Sequence, residues 1–239
     1  MNEKKDYGND WLAAAKDVFD LTLTPAQRDI IEAIQRPGAK VSAVETDSMG
    51  RNMLYALIGV SSVLFKPNLK ILFVGKDIKN RFARLEIELS HVLNNMFSRQ
   101  GIHHSACSTL TSSAIRLIME RVSIRAYRPG IEESLAGDFY EHSLYIVDNA
   151  ALVSDKAFGI LTGSMTEIDN RLLLISEAYR NEGFFYDSQH KHKESGLFHT
   201  VRTNAEQTPL VSKGWLDIQK SRLSPPDYRR RILGEFPEV

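Results

Sequence analysis

The sequence lacks the features that assign a protein quickly to a class. It contains a single cysteine, Cys107, which excludes an internal disulfide and favours a reducing compartment. Thirty basic and thirty acidic residues cancel, so no overall charge attracts the protein to nucleic acid. No apolar run reaches the length of about 20 residues that spans a bilayer. The first ten residues have no apolar core, so no signal peptide is expected. These absences favour a cytoplasmic protein with no membrane partner.

What is present is the composition and patterning of an α/β domain. Hydrophobic residues make up 43% and charged residues 25% of the chain, as is ordinary for globular proteins. Short apolar runs alternate with helical patterns, which predicts an open, largely parallel sheet with helices on both faces. The predicted strands are 40–44, LKILFVG, 143–147 and 158–162, and the predicted helices include 53–65, 169–179, 213–219 and 227–233. The segment AIRLIMERVSIRAYRPG predicts an edge hairpin, and residues 183–204 predict a polar loop.

Polar residues follow three of the predicted strands. They are residues 47–52 after the first strand, Asp148 and Asn149 after SLYIV, and Thr162, Gly163 and Ser164 at the end of the run FGILTGS. Ligands of open parallel sheets bind at the carboxyl ends of the strands. We therefore expect the three groups to converge at one edge.

The stretch VETDSMGRNM has the layout of a phosphate-binding loop. An apolar strand leads into a small polar loop, and a glycine precedes an apolar helix. In such a loop, backbone N–H groups surround a phosphate, a lysine reaches its oxygens, and a hydroxyl holds Mg²⁺. Here the lysine position is Arg51 and the hydroxyl position is Asn52.

Several segments, in order, resemble one family. They are LTLTPAQRDII, VETDSMGRNM, IRLIMERVSIRAYRP, SLAGDFYEHSLYIVDNAALV, ILTGSM and the closing stretch that ends GEFPEV. Together they resemble the N-terminal ATPase domain of the large terminase subunit, the motor that packages DNA into tailed-phage heads.

The resemblance implies a P-loop NTPase fold of the RecA-like (ASCE) kind, with a small C-terminal lid. It divides the chain into a leader (1–20), an ATPase core (21–200) and a lid (201–239), with the family's nuclease domain absent. It makes ATP and Mg²⁺ the candidate ligands and assigns no metal site with certainty. Other terminase or portal components and double-stranded DNA become candidate partners, in the cytoplasm of a bacterial host.

The resemblance also assigns roles to particular residues. Gln27 would face adenine, Asp148 would organise Mg²⁺ through water, and Thr162–Ser164 would couple hydrolysis to movement. The nucleotide-binding set is Gln27, Asp47, Ser48, Met49, Gly50, Arg51 and Asn52.

Four positions depart from the family pattern around this one site. Arg51 and Asn52 replace the lysine and the hydroxyl, and Asp47 stands where many relatives carry an arginine. Asn149 stands where a glutamate polarises the attacking water, and an amide cannot accept a proton near neutral pH. These departures predict a disabled pseudo-ATPase that serves as an interaction module.

Two other interpretations stay open. In the first, the chain is a divergent, active packaging ATPase in which Glu141, Asp155 or Glu45 replaces the missing glutamate. In the second, it binds DNA independently of nucleotide through the basic run Arg229, Arg230 and Arg231. The alternative for that run, which we favour over DNA contact, is that it packs the lid against acids of the same domain.

Overall fold

A six-stranded, entirely parallel sheet forms the centre of the protein. The computed structural model describes residues 6–47, 49–66, 68–76, 78–137 and 139–238, and only the backbone of 78–82, 104 and 105. The strands are β1 (Lys40–Val44), β2 (Lys70–Gly75), β3 (Val122–Ala126), β4 (Ser143–Asp148), β5 (Arg171–Ser176) and β6 (His199–Arg202). Their order across the sheet is β3-β2-β4-β5-β1-β6. β5 therefore lies between β1 and β4, and all six strands end at the same edge.

Helices connect the strands and cover the sheet. They are α1 (Trp11–Asp17), α2 (Pro25–Ile34), α3 (Arg51–Phe65), α4 (Ile78–Arg99), α5 (His104–Met119), α6 (Asp155–Gly163), α7 (Gly183–Gln189), α8 (Lys191–Glu194), α9 (Lys213–Arg222) and α10 (Pro225–Tyr228). Short 3-10 helices span Glu132–Leu135, Ala150–Leu152 and Ala205–Gln207, and a π-helical turn, Arg229–Leu233, continues α10. Among the described residues, no helix combines the length and apolar character needed to cross a bilayer.

Alternate side chains of the strands face two separate cores. In β4, Leu144 and Ile146 point to the side covered by α1 to α5. Tyr145 and Val147 point to the side covered by α6 and α7. Because successive side chains of a strand face opposite sides, a continuously apolar strand such as SLYIV is buried on both faces, as parallel strands are.

The elements around the first two strands confirm the sequence predictions. β1 has the predicted bounds, α3 contains the predicted helix 53–65, and β2 and β4 coincide with LKILFVG and SLYIV. Thr24 caps α2, with Pro25 in its first turn. The predicted domain limits stay predictions, although the boundary at residue 200 falls within β6.

The predicted edge hairpin is wrong. The first half of AIRLIMERVSIRAYRPG belongs to α5, and the second half forms β3, which pairs in parallel with β2. The apolar residues of the first half are helix-compatible, and tertiary packing decides between the two periods in so short a run. The expectation that this segment lies at the sheet edge is confirmed, because β3 is an edge strand.

The predicted strand 158–162 and helix 169–179 are exchanged in the structure. Residues 155–163 form α6, capped by Ser154, whose Oγ accepts from the Ala157 N–H. The run Arg171–Ser176 forms β5, and all six of its residues are buried. A short apolar run does not reveal its own period, and a buried strand and a buried helix look alike in sequence.

The segment 183–204 is not a loop. It contains α7, α8 and β6, and Phe185 and Phe198 join the second core. Its many polar residues conceal buried positions, such as Ser188 and Gln189, whose side chains bond to Ser42 on β1.

Candidate functional site

The loop after β1 is fixed at both of its ends. At its start, the Glu45 N–H donates to the Ser176 carbonyl at 2.9 Å, which extends the pairing of β1 with β5. At its end, Gly50 has φ +70° and is the N-cap of α3. A Cβ at Gly50 would lie 2.7 Å from Gln27 Nε2, so the position requires glycine for its backbone conformation and for the close approach of Gln27.

Gln27 joins the start of α2 to this loop. Its Oε1 accepts from the Thr24 N–H at 2.9 Å, and its Nε2 donates to the Met49 carbonyl at 3.0 Å. The Thr24 hydroxyl accepts from the Gln27 N–H in return, which completes a capping box. The amide of Gln27 thus supports the loop, and its predicted contact with adenine stays a prediction.

Arg51 is held by acids from two strand ends. Its Nη1 lies 2.5 Å from Glu45 Oε1 and donates to Asp148 Oδ1 at 2.9 Å. It also donates to Asn149 Oδ1 at 3.3 Å. The side chains of Glu45 and Asp148 are almost fully buried, so these are low-dielectric ion pairs. The sequence prediction that the loop and the end of β4 meet at one edge is confirmed.

Tyr55, one turn into α3, completes the group. Its hydroxyl donates to Asp148 Oδ1 at 3.0 Å. Burial, and next the charge of Asp148, raise the pKa of Tyr55 well above its usual value. Burial by itself would lower the pKa of Arg51, but the charges of Glu45 and Asp148 outweigh it and raise that pKa. Arg51 therefore carries its charge at any physiological pH.

The loop and α3 line a cleft of about 300 Å³. Its lining residues are Glu45, Thr46, Asp47, Met49, Gly50, Arg51, Asn52, Met53, Arg84, Glu88 and Glu177. Four of these are acids and two are arginines, so the lining has an excess of negative charge. A second hollow of about 340 Å³ lies on the other side of the loop, between the start of α2 and the end of β6.

The C-terminal segment, residues 225–238, contacts the loop after β1 through Arg231. Arg231 Nη2 donates to Asp47 Oδ2 at 2.6 Å, and the Asp47 N–H donates to the Arg231 carbonyl at 3.0 Å. Arg230 pairs with Glu177 at 3.1 Å and with Asp227, and it lies over the Tyr179 ring.

Arg229 pairs with Glu235 and Glu238. Each arginine of the basic run therefore has an acidic partner in its own chain.

The chain is similar to known proteins in sequence and in fold. The chain is 32% identical to a probable large terminase subunit of Enterobacteria phage P7, over 251 residues and 97% of this chain. The chain is therefore similar to a large terminase subunit over nearly its whole length. It spans about half the length of that relative, 49%. No family model matches the chain.

Solved structures of large terminases have the same fold. The ATPase domain of the Thermus phage P74-26 large terminase superposes with a TM-score of 0.61 at 12% identity, covering 93% of this chain and 97% of that one. The HK97 large terminase superposes with a TM-score of 0.64 at 14% identity, covering 97% of this chain and 56% of that one. This chain therefore has the fold of a terminase ATPase domain.

The triplet predicted to couple hydrolysis to movement lies away from the loop after β1. Thr162 and Gly163 are the last two residues of α6, and Ser164 is its C-cap. α6 returns the chain from the end of β4 to the start of β5, so its last turn lies near the opposite edge of the sheet. The expectation that this triplet follows a strand is wrong, because residues 158–162 are helical.

The strand that ends beside the loop is β5, and the residue after it is Glu177. Glu177 lines the cleft, and its carboxylate accepts from the Tyr179 hydroxyl and pairs with Arg230. The sequence prediction missed Glu177 because it placed the residue inside a helix. The local signal at this position is the short apolar run RLLLIS after Asp169-Asn170, which is compatible with a buried strand as well as with a buried helix.

The remaining predicted residues are distributed around the cleft. Met49 is buried, Asn52 lines the cleft beside Arg51, and Ser48 lies outside the described residues. Of the three acids proposed as substitutes for a glutamate, only Glu45 lines the cleft. Glu141 precedes β4 at the opposite edge, and Asp155 accepts from the Phe184 N–H.

Protein groups already contact the carboxylate that the resemblance assigns to magnesium. Asp148 Oδ1 accepts from Arg51 and Tyr55, and its role towards magnesium stays a prediction. Across the described ranges, no group of three or more His, Cys, Asp or Glu side chains is arranged to hold a metal.

Proposed function

We propose that the chain is a large-terminase ATPase domain of phage DNA packaging that does not hydrolyse ATP and that serves as an interaction module. The observation that carries this proposal is the state of Arg51. The cation that should meet phosphate is paired with Glu45 and Asp148.

The residue after Asp148 supports the absence of hydrolysis. Asn149 places its side-chain oxygen 3.3 Å from Arg51 Nη1. The amide has no useful basicity, so it cannot take a proton from an attacking water.

The electrostatics of the cleft act in the same direction. A nucleoside triphosphate brings several negative charges, and the lining offers four carboxylates against two guanidiniums. Functional phosphate loops have the opposite balance, because backbone N–H groups and a lysine face the phosphates. Weak or absent nucleotide binding follows.

The fold persists although the groups for hydrolysis are missing. Both cores are continuous, and α2, the loop and the C-terminal segment interlock. A domain retained in this form fits a role in contacting other packaging components, such as another terminase chain or the portal, in the cytoplasm of the host.

An ATPase assay of the purified chain with Mg²⁺ tests the proposal. We expect no turnover above background. Turnover at about 1 per second or faster, the lower end of ordinary enzymes, would overturn it. Binding of the chain to purified portal and terminase proteins of the same phage, measured by sedimentation, tests the interaction role. Absence of binding to every one of them would contradict that role.

Restoring the family residues gives a sharper test. The variant Arg51→Lys, Asn52→Thr, Asn149→Glu should gain measurable turnover if the frame is intact. The structure adds Glu45→Gly as a fourth change, because Glu45 would otherwise pair with the new lysine. The matched control is Glu45→Gly with Arg51→Lys and Asn52→Thr, which still lacks the carboxylate at residue 149 and should stay inactive.

One observation favours the alternative of a divergent active ATPase. Glu45 places a carboxylate in the cleft, where it could activate water in place of residue 149. Under this alternative the unsubstituted chain hydrolyses ATP and Glu45→Gln abolishes that activity.

A further inference from the structure

The loop after β1 contains a buried acidic side chain, that of Glu45. We propose that Glu45 occupies the phosphate-binding loop from within and excludes nucleotide phosphates by neutralising Arg51. This inference rests on the proposed function of the same cleft and adds the residue that sets its ligand selectivity. The exclusion of nucleotide from the cleft would then depend on the carboxylate of Glu45.

The position of Glu45 is fixed by the backbone. It directly follows β1, and its N–H bonds to the Ser176 carbonyl of β5. The residue is 5% exposed. Its Oε1 lies 2.5 Å from Arg51 Nη1, closer than the oxygens of Asp148 and Asn149 that the same nitrogen contacts. The carboxylate is therefore held against the cation by the end of the strand that starts the loop.

A phosphate would have to displace this contact. Glu45 and Arg51 belong to one loop and its following helix, so their pairing costs no association entropy and competes as an intramolecular ligand. After displacement, the carboxylate would remain in the cleft and repel the phosphate at low effective dielectric. Both effects oppose binding and both come from the same side chain.

Asp148 does not perform the same role. It belongs to β4, and its Oδ1 is shared by Arg51 and the Tyr55 hydroxyl. If Glu45 is removed, Arg51 keeps Asp148 as a partner, so the guanidinium is not left without compensation. The cleft then loses one negative charge beside a cation that stays in place.

Glu177 offers a matched control. It lines the same cleft, but its carboxylate is engaged by Arg230 and Tyr179. The substitution Glu177→Gln removes the same unit of negative charge from the lining and leaves the Glu45–Arg51 pair intact. This control distinguishes the effect of freeing Arg51 from Glu45 from the effect of a less negative electrostatic potential in the cleft.

The experiment is calorimetric titration with ADP and with inorganic pyrophosphate, each with and without Mg²⁺. The proteins are the unsubstituted chain, Glu45→Ala, Glu45→Gln and Glu177→Gln. We expect Glu45→Ala to bind both probes at least about tenfold more tightly than the unsubstituted chain. Glu45→Gln should gain less, because its amide oxygen can still accept from Arg51. Glu177→Gln should gain less than about twofold.

Two results would overturn the inference. One is an affinity of Glu45→Ala within about twofold of the unsubstituted chain, and the other is an equal gain in Glu177→Gln. Circular dichroism and thermal unfolding check that each variant folds. If Glu45→Ala does not fold, the isosteric Glu45→Gln decides, and no gain in that variant counts against the inference.

Failure of the proposed function has a different signature. It would show as ATP turnover by the unsubstituted chain, whatever the variants bind. A gain of binding without turnover in Glu45→Ala supports both the inference and the proposed function. Loss of existing turnover in Glu45→Gln would contradict both, because Glu45 would then be the base.

Discussion

Arg51 compensates two buried carboxylates, those of Glu45 and Asp148. Removing one partner of a buried ion pair leaves an uncompensated charge, which costs about 3 to 5 kcal/mol. We therefore expect Arg51→Ala to lower the free energy of unfolding by an amount in this range, measured by urea denaturation. Arg51→Lys keeps a cation near the carboxylates and should cost less than half as much.

A loss of less than about 1 kcal/mol in Arg51→Ala would contradict this prediction. It would mean that water solvates the two carboxylates better than their burial indicates. The comparison with Arg51→Lys isolates the charge, since both substitutions remove the planar guanidinium and its packing.

Tyr55 gives the site a dependence on alkaline pH. Its pKa is raised in the folded protein, by burial first and by Asp148 next, so the unfolded chain loses the phenolic proton at a lower pH. The stabilisation is complete below the usual tyrosine pKa of about 10 and is lost as the pH rises towards the higher folded pKa. We expect stability to fall above this pH.

The substitution Tyr55→Phe should make that fall shallower. At neutral pH it should cost about 1 to 2 kcal/mol, because Asp148 loses a hydrogen-bond donor. Unfolding free energies measured from about pH 7 to about pH 11 test both effects. An unchanged alkaline slope would exclude Tyr55 as its source.

At the scale of the elements, the side chain of Gln27 links the start of α2 to the loop after β1 by hydrogen bonds. Its side chain satisfies the Thr24 N–H and the Met49 carbonyl at once. Gln27→Ala should cost about 1 to 2 kcal/mol through loss of the cap and the loop contact. It should also raise the amide hydrogen exchange of residues 49–54.

Thr24→Ala is the control for this prediction. It removes the hydroxyl acceptor from the same capping box but leaves Gln27 bonded to Met49. Helix α2 should lose protection in both variants, whereas the loop should lose it only in Gln27→Ala. Equal exchange of the loop in the two variants would contradict the role of Gln27.

The sequence predicts the elements near the loop well because their local signals agree. Thr24 and Pro25 mark the start of α2, Gly50 marks the start of α3, and LKILFVG is apolar throughout most of its length. The segments 158–176 and 183–204 lack such signals. FGILTG is compatible with a helix or a strand, and only the packing of the sheet between β4 and β1 decides that RLLLIS is the strand.

The site is predictable in its positions and less so in its contacts. Motif order places residues 47–52 and Asp148 at one edge, because strands of a parallel sheet end together. The pairing of Arg51 with Glu45 and the presence of Glu177 depend on the order of strands across the sheet. That order brings residues together that are far apart in sequence, and no local pattern encodes it.

For the molecule as a whole, the charges of the basic run are internally balanced. Arg229, Arg230 and Arg231 all pair with acids, and the net charge of the chain is zero. Three arginines bound to phosphates would give a slope of about −3 in a plot of log K against log salt. We expect a slope near zero for a short duplex, measured by fluorescence anisotropy.

Releasing one arginine should change this behaviour. Glu235→Gln with Glu238→Gln frees Arg229 and should strengthen duplex binding with a steeper salt slope. The control is Glu120→Gln with Glu194→Gln, which makes the same change of net charge on exposed residues of other regions. A steep slope for the unsubstituted chain would revive the DNA-binding interpretation.

The ion pair between Asp47 and Arg231 joins residues 184 positions apart. The strand before the loop also pairs with β5 and β6, both from the second half of the chain. During translation, the loop therefore leaves the ribosome long before any of these partners exists. The contacts that complete the loop can form only after Arg231 has emerged, and until then β1 lacks both of its neighbouring strands.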